Sequence, residues 1–102
     1  MRKEPLKVSG NKEYPITLTD EDWSTLAAVI VIQRRRSRYA REIDQLGGAF
    51  TAIVRGRRDG TVWLRGSELH WIGAMNASGH RYSDDVERIK CEILSQLESV
   101  EA

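Results

Sequence analysis

Arginine gathers in two stretches of this sequence, and in one of them it brackets a tryptophan. The segment "VRGRRDGTVWLRG", 54–66, sets Arg55, Arg57 and Arg65 around Trp63. A guanidinium forks onto phosphate or carboxylate oxygens and also stacks on an indole, which an ammonium does poorly. The cation–π contact contributes about 0.5–2 kcal/mol, and a base stacked on an aromatic ring about 1–3 kcal/mol. A two-stranded ribbon carrying these groups also fits the major groove of duplex DNA. The second stretch, "RRRSRYAR", 34–41, puts Arg34, Arg38 and Arg41 on one side of a helix, with Arg35 and Arg36 flanking. A charge run is usually a solvated face. Contact with phosphates or acidic side chains becomes the stronger reading if the two basic clusters meet in space.

Other chemistry has little support. His70 and His80 stand ten apart, without the spacing of a metal site. His70 with Glu68, or His80 with Asp84, offers an acid–base pair of a kind that arises by chance. The sequence holds no glycine-rich phosphate cradle; "RGRRDG" is turn chemistry. Cys91, the single cysteine, excludes an internal disulfide, and its acidic neighbours Glu87 and Glu98 disfavour a thiolate. A non-catalytic protein without metal or cofactor is the expectation.

The net charge of +1 conceals an uneven distribution. Residues 31–65 carry nine arginines against Glu42, Asp44 and Asp59, whereas residues 66–102 are acidic overall. The longest apolar run, "LAAVIVI" at 26–32, is far short of the ~20 residues that span a bilayer. "MRKEPLKVSG" lacks the apolar centre of a secretory signal. One soluble, cytoplasmic domain over residues 1–102 is expected.

Several elements must position the arginines. Apolar and polar residues alternate through 6–19 on both sides of Ser9-Gly10-Asn11, as in a strand pair, and Pro15 marks an edge. A helix is predicted over 20–46, capped by Thr19, started by Asp20, Glu21 and Asp22, and stopped by Gly47-Gly48. Its apolar face changes side partway, so two helices with a bend near Gln33 are an alternative. The β-branched run 29–32 leaves a strand through 28–32 open as well. "AFTAIVRGRRDGTVWLRG", 49–66, reads as a hairpin. A two-residue turn at Asp59-Gly60 is one register. A type I turn over 57–60 is the other, and it separates apolar from basic residues better. In that second register Trp63 lies across from Arg55, with Arg57 and Arg65 on the same face. Residues 66–80 favour a short helix capped by Ser67 over another strand. Ser83, Asp84 and Asp85 start a last helix with the stripe Val86, Ile89, Ile93, Leu97 and Val100.

The expected fold is therefore α+β: a small antiparallel sheet from two hairpins, packed by one long helix and a C-terminal amphipathic helix. The expected function is a binding module. It contacts nucleic acid through Arg55, Arg57, Trp63 and Arg65 on the ribbon and through Arg34, Arg35, Arg38 and Arg41 on the helix. The alternative is a protein-binding accessory or inhibitor that meets an acidic surface, such as a mobile-element or phage product blocking a nucleic-acid-handling complex. The C-terminal stripe also suits a homodimer. No membrane contact is expected.

Overall fold

The computed structural model describes residues 10–75 and 81–101, the last two of these without their side chains. Strand β1 (Glu13–Thr17) leads into α1 (Asp20–Arg36) and α2 (Ala40–Gly56); a single 3-10 turn (Arg57–Asp59) then leads into β2 (Thr61–Arg65), α3 (Gly66–Ala74) and α4 (Ser83–Glu101). The α+β class holds. The internal arrangement differs from the expected one at three places, each for a physical reason.

The first is the long helix. Thr19 caps α1 as expected, its Oγ1 accepting the Asp22 N–H at 3.1 Å, and three acids fill the first turn. The β-branched run is helical. The helix ends at Arg36 because Ser37 turns extended (φ −72°, ψ 142°) and its hydroxyl accepts the Tyr39 N–H at 3.1 Å. A serine that bonds the backbone two residues on offers the chain a turn in place of another helical bond. The break therefore falls a turn beyond the bend considered near Gln33. Arg34 latches the two helices by donating Nε–H to the Ile43 carbonyl at 3.1 Å.

The second is the double glycine, which α2 passes straight through. Each residue costs about 1 kcal/mol of helix propensity relative to alanine, and packing explains both. The Arg34 guanidinium lies over Gly47, where a Cβ would sit 3.2 Å from Nη2. A Cβ on Gly48 would collide with Oε2 of Glu68, a buried carboxylate whose Oε1 accepts the Arg65 N–H at 2.8 Å and so closes the start of α3.

The third is the hairpin. Residues 49–56 continue α2, because Glu42, Leu46, Ala49 and Ile53 form one buried helical face. Their strand-like alternation was coincident with a helical period, and the tertiary contact decided between them. The 3-10 turn closes with Gly60 N–H donating to the Arg57 carbonyl at 3.1 Å. Gly60 adopts φ 85°, left-handed backbone that a side chain disfavours by about 1–2 kcal/mol. Its carbonyl accepts the Leu18 N–H at 3.0 Å and the Trp23 indole N–H at 2.9 Å. Gly60→Ala is accordingly expected to cost about 1–2 kcal/mol, read from the denaturant midpoint.

β2 pairs antiparallel with β1, Tyr14 opposite Leu64 and Ile16 opposite Val62. The sheet is thus one strand pair, closed across α1 and α2; the segment 6–8 offered as a further strand lies outside the described residues. Hydrogen bonds from Leu18 N–H to Gly60 and from Gly66 N–H to Lys12 flank the ladder. Even-numbered residues of β1 therefore face β2, and Pro15 points its missing N–H to the outer edge, as the sequence suggested. Gln96 of α4 covers part of that edge: Thr17 donates its N–H to Oε1 at 2.7 Å, and Nε2 donates to the Thr17 carbonyl at 2.6 Å.

Tyr14, Ile16, Val62 and Leu64 point inward to meet Trp23, Leu26 and Ile30 of α1 and Leu46, Ala49 and Ile53 of α2 in one core. α3 adds Leu69 and Ile72, so the helical reading holds for Gly66–Ala74; Arg65, not Ser67, is its N-cap, because the Ser67 hydroxyl lies inside the first turn and donates to Gln45, and residues 76–80 lie outside the described residues. The α4 stripe of Val86, Ile89, Ile93 and Leu97 is buried within the chain. A homodimer through that stripe therefore loses its basis; Val100, the last residue of the stripe, lies outside the described side chains.

Arg88 of α4 grips Asp22 of α1 with two hydrogen bonds, Nη1 to Oδ2 at 2.9 Å and Nη2 to Oδ1 at 2.7 Å. These bonds hold the Asp22 carboxyl below its ordinary 3.8. A carboxylate depressed in the folded state contributes stability above its unfolded value and loses it as pH falls through the folded value. Arg88→Leu is expected to lower the melting temperature at neutral pH, and the gap from the parent chain should close as the solution is taken well below pH 3.8.

Candidate nucleic-acid interface

The Arg/Trp ribbon does not form. Arg55 lies exposed on the last turn of α2. Arg57 belongs to the 3-10 turn, where its Nε lies 3.2 Å from the Asp20 carboxylate. Trp63 and Arg65 do share the outer face of β2, as the alternation required, and Trp63 is 56% exposed. Their cross-strand neighbours come from β1: Pro15 opposite Trp63 and Glu13 opposite Arg65. Thr17 and Thr61 complete this face with a hydroxyl hydrogen bond of 2.7 Å. The indole thus stands on a small mixed face with one arginine and a carboxylate, not among three cations.

The two basic clusters also lie apart. α1 and α2 run side by side in opposite directions, Gln33 and Arg34 meeting Glu42 and Ile43 at one end and Asp20 meeting Arg57 at the other. Seventeen residues of helix span about 25 Å. Arg34, Arg35, Arg36, Arg38 and Arg41 surround the turn at one end of this helical hairpin, whereas Arg55, Arg57 and Arg58 sit at the other. Contact along the full length makes this a side-by-side pair, unlike the steep crossing that thrusts a recognition helix into a DNA groove.

The turn is the more cationic corner. Arg34 is tied inward by the Ile43 carbonyl and Gly47. Arg35, Arg36, Arg38 and Arg41 are exposed, and none makes an ion pair among the described residues. Tyr39 projects between them, 69% exposed. Glu42, the nearest acid in the chain, is buried and receives the Gln33 amide at 3.4 Å. Tyr39 gives α2 no side-chain cap, so the positive end of that helix dipole adds to the field of Arg38 and Arg41.

A hollow of about 500 Å³ opens beside this corner, between Asn11, the start of α3 and the exposed flank of α2. Arg41, Gln45, Ser67, His70 and Trp71 line it. Ser67 donates its hydroxyl to Gln45 Oε1 at 2.7 Å, and the His70 ring stands edge-on to the Trp71 ring with centroids 5.6 Å apart. The sequence singles out Arg41 as a binding residue and His70 only as half of an acid–base pair; it gives Gln45, Ser67 and Trp71 no binding role. Arg41 and Gln45 one turn apart on the same flank were the only advance signal, because the α3 residues reach them through tertiary packing.

The Glu68–His70 acid–base pair does not assemble. Glu68 turns inward to Gly48 and the Arg65 N–H while His70 is exposed, as residues two apart on a helix must diverge; His80 lies outside the described residues. No group of acidic, histidine or cysteine residues among the described ones could hold a metal ion. Cys91 is exposed on α4. No described helix is long and apolar enough to cross a membrane.

Comparison with protein-family models, with curated proteins and with solved structures finds no match to this chain.

Proposed function

We propose that this protein is a non-catalytic binding module that holds nucleic-acid phosphates on the corner where α1 turns into α2. One observation supports this above the rest: Arg35, Arg36, Arg38 and Arg41 crowd around one turn, exposed and without ion pairs among the described residues. Like charges held together repel, and a polyanion relieves that repulsion while releasing its own counterions. Tyr39 adds an exposed ring on which a base can stack. Relative to the ribbon first expected, the working surface shifts from Arg55, Arg57, Trp63 and Arg65 to the helical corner. The test is equilibrium binding to duplex DNA and to single-stranded DNA and RNA over a range of salt. Binding that weakens steeply with salt supports the module; no binding to any of the three at low salt overturns it.

A second reading, an acidic protein partner, draws on a different feature. A shallow groove of about 600 Å³ runs along α2 past Ile43, Gly47 and Phe50, with Arg34 and the exposed Asp44 at its walls. Val54, 55% exposed, lies one helical turn beyond Phe50. An apolar strip with Arg34 at one place on its edge suits an amphipathic helix that sets an acidic side chain there and keeps its acids away from Asp44. Loss of partner capture in Phe50→Asp, with nucleic-acid binding absent in the parent chain, is the outcome that favours this reading.

A further inference from the structure

We infer that the hollow between α2 and α3 receives one unstacked nucleotide of a single strand, its phosphate on Arg41 and its base against Trp71. The inference rests on the phosphate-binding reading of the neighbouring corner and adds a recognition site to it.

Three observations carry it. The first is the sign of the lining. None of the residues around the hollow is acidic, and Arg41 projects into it without an ion pair among the described residues. The second is its donors. The Ser67 hydroxyl occupies Gln45 Oε1, so the amide N–H₂ of Gln45 remains to donate, beside the Arg41 guanidinium and the Asn11 amide. A donor-rich, acid-free hollow selects a ligand that accepts hydrogen bonds and carries negative charge. The third is the ring pair. Trp71 is half-buried and held against the core, while His70 stands edge-on to it at an interplanar angle of 81°. A fixed indole with a second ring at right angles makes a corner for a planar heterocycle. A volume of about 500 Å³ lies within the ~300–1,000 Å³ of small-ligand sites.

The same geometry excludes a duplex. A paired base is stacked on its neighbours and shows only its edge, so it cannot lay its face on Trp71 as the proposed binding mode requires. Arg41 belongs to both surfaces. A strand whose phosphates follow Arg35, Arg36 and Arg38 therefore passes the mouth of the hollow, and the corner supplies affinity while the hollow supplies preference for an unpaired base.

The test uses nucleoside 5′-monophosphates as probes, followed through the indole N–H signal of Trp71 and the ring signals of His70. Saturable shifts of both at millimolar mononucleotide are expected. Inorganic phosphate or nucleoside alone should shift them at least several-fold more weakly. Arg41→Ala, an exposed substitution, should weaken mononucleotide binding roughly tenfold. Gln45→Leu should weaken it while leaving the melting temperature close to that of the parent. If mononucleotides at ten millimolar move neither signal, the hollow is not a nucleotide site, and salt-dependent binding of longer strands would then leave the corner reading standing alone. If nucleoside binds as well as its monophosphate, the phosphate role of Arg41 is wrong. If longer strands fail to bind at low salt while mononucleotides do enter the hollow, the corner reading falls and the hollow stands without it.

Discussion

Trp23→Ala should remove about 3–5 kcal/mol of stability, the usual range for emptying a buried aromatic site. The side chain is fully buried, and it does more than fill space. Its indole N–H donates to the Gly60 carbonyl at 2.9 Å, tying the first turn of α1 to the residue just before β2. That carbonyl also accepts the Leu18 N–H. One atom thus joins the approach to α1, the core of the helical hairpin and the only left-handed backbone among the described residues. Trp23→Phe separates the two contributions. It keeps an aromatic ring in the core, withdraws the donor, and leaves the carbonyl with its backbone partner, so a loss of about 1–2 kcal/mol is expected. A domain of this size has about 5–15 kcal/mol in total, so the alanine chain should unfold at much lower denaturant than the phenylalanine chain. Equal midpoints for the two would show that the indole hydrogen bond and the ring volume have been misjudged.

Reversing Arg35, Arg36 and Arg38 together to glutamate should lower nucleic-acid affinity roughly 100-fold or more at low salt, with the slope of log K against log salt falling toward zero. Four corner arginines correspond to a parent slope of about −3 to −4 on duplex and somewhat less on a single strand. Reversing Arg55 and Arg58 at the far end of the hairpin makes two-thirds of that change in net charge, and it should alter affinity only modestly. The contrast separates a local contact from a general effect of charge. All five side chains are exposed, and surface substitutions of this kind usually shift stability by no more than ~0.5 kcal/mol. Unchanged melting temperatures would confirm that binding, not folding, is being read.

Much of the fold was legible wherever one residue type had one physical use. Thr19 with three following acids announced a helix start. The α4 stripe at helical spacing marked a face to be covered, and the core of this chain covers it. Pro15 identified an edge, because a proline without N–H has no other place in a strand pair. Trp63 and Arg65 share the outward face of β2 as the hairpin reading required, with Val62 and Leu64 inward.

The errors fell where a residue has two uses. Gly47-Gly48 carries equal local weight as a helix stop and as a helix surface cut away for close packing. The side chains that require the cut, Arg34 and Glu68, lie 13 and 20 residues distant in the chain, beyond any local window. Phe50, Ala52 and Val54 alternate like a strand, and Leu46, Ala49 and Ile53 repeat like a helix, within the same few residues. Once 49–56 became helical, Arg55 and Arg57 left Trp63, and β2 took the earlier strand as its partner. The candidate site suffered more than the fold for this reason. A binding surface depends on which elements become neighbours. The arginine run 34–41 was visible as a cluster, but its sharp turn at Ser37 and the outward Tyr39 followed from one side-chain hydrogen bond.

The arginine Nε–H signals of the folded chain, followed by NMR as a short single-stranded oligonucleotide is added at low salt, give the most direct view of where phosphate is held. The signals of Arg35, Arg36, Arg38 and Arg41 should shift and broaden together, while those of Arg55, Arg57 and Arg58 stay in place. Shifts concentrated at the opposite end of the hairpin, or an unaltered spectrum with saturating oligonucleotide, would contradict the corner as the binding surface.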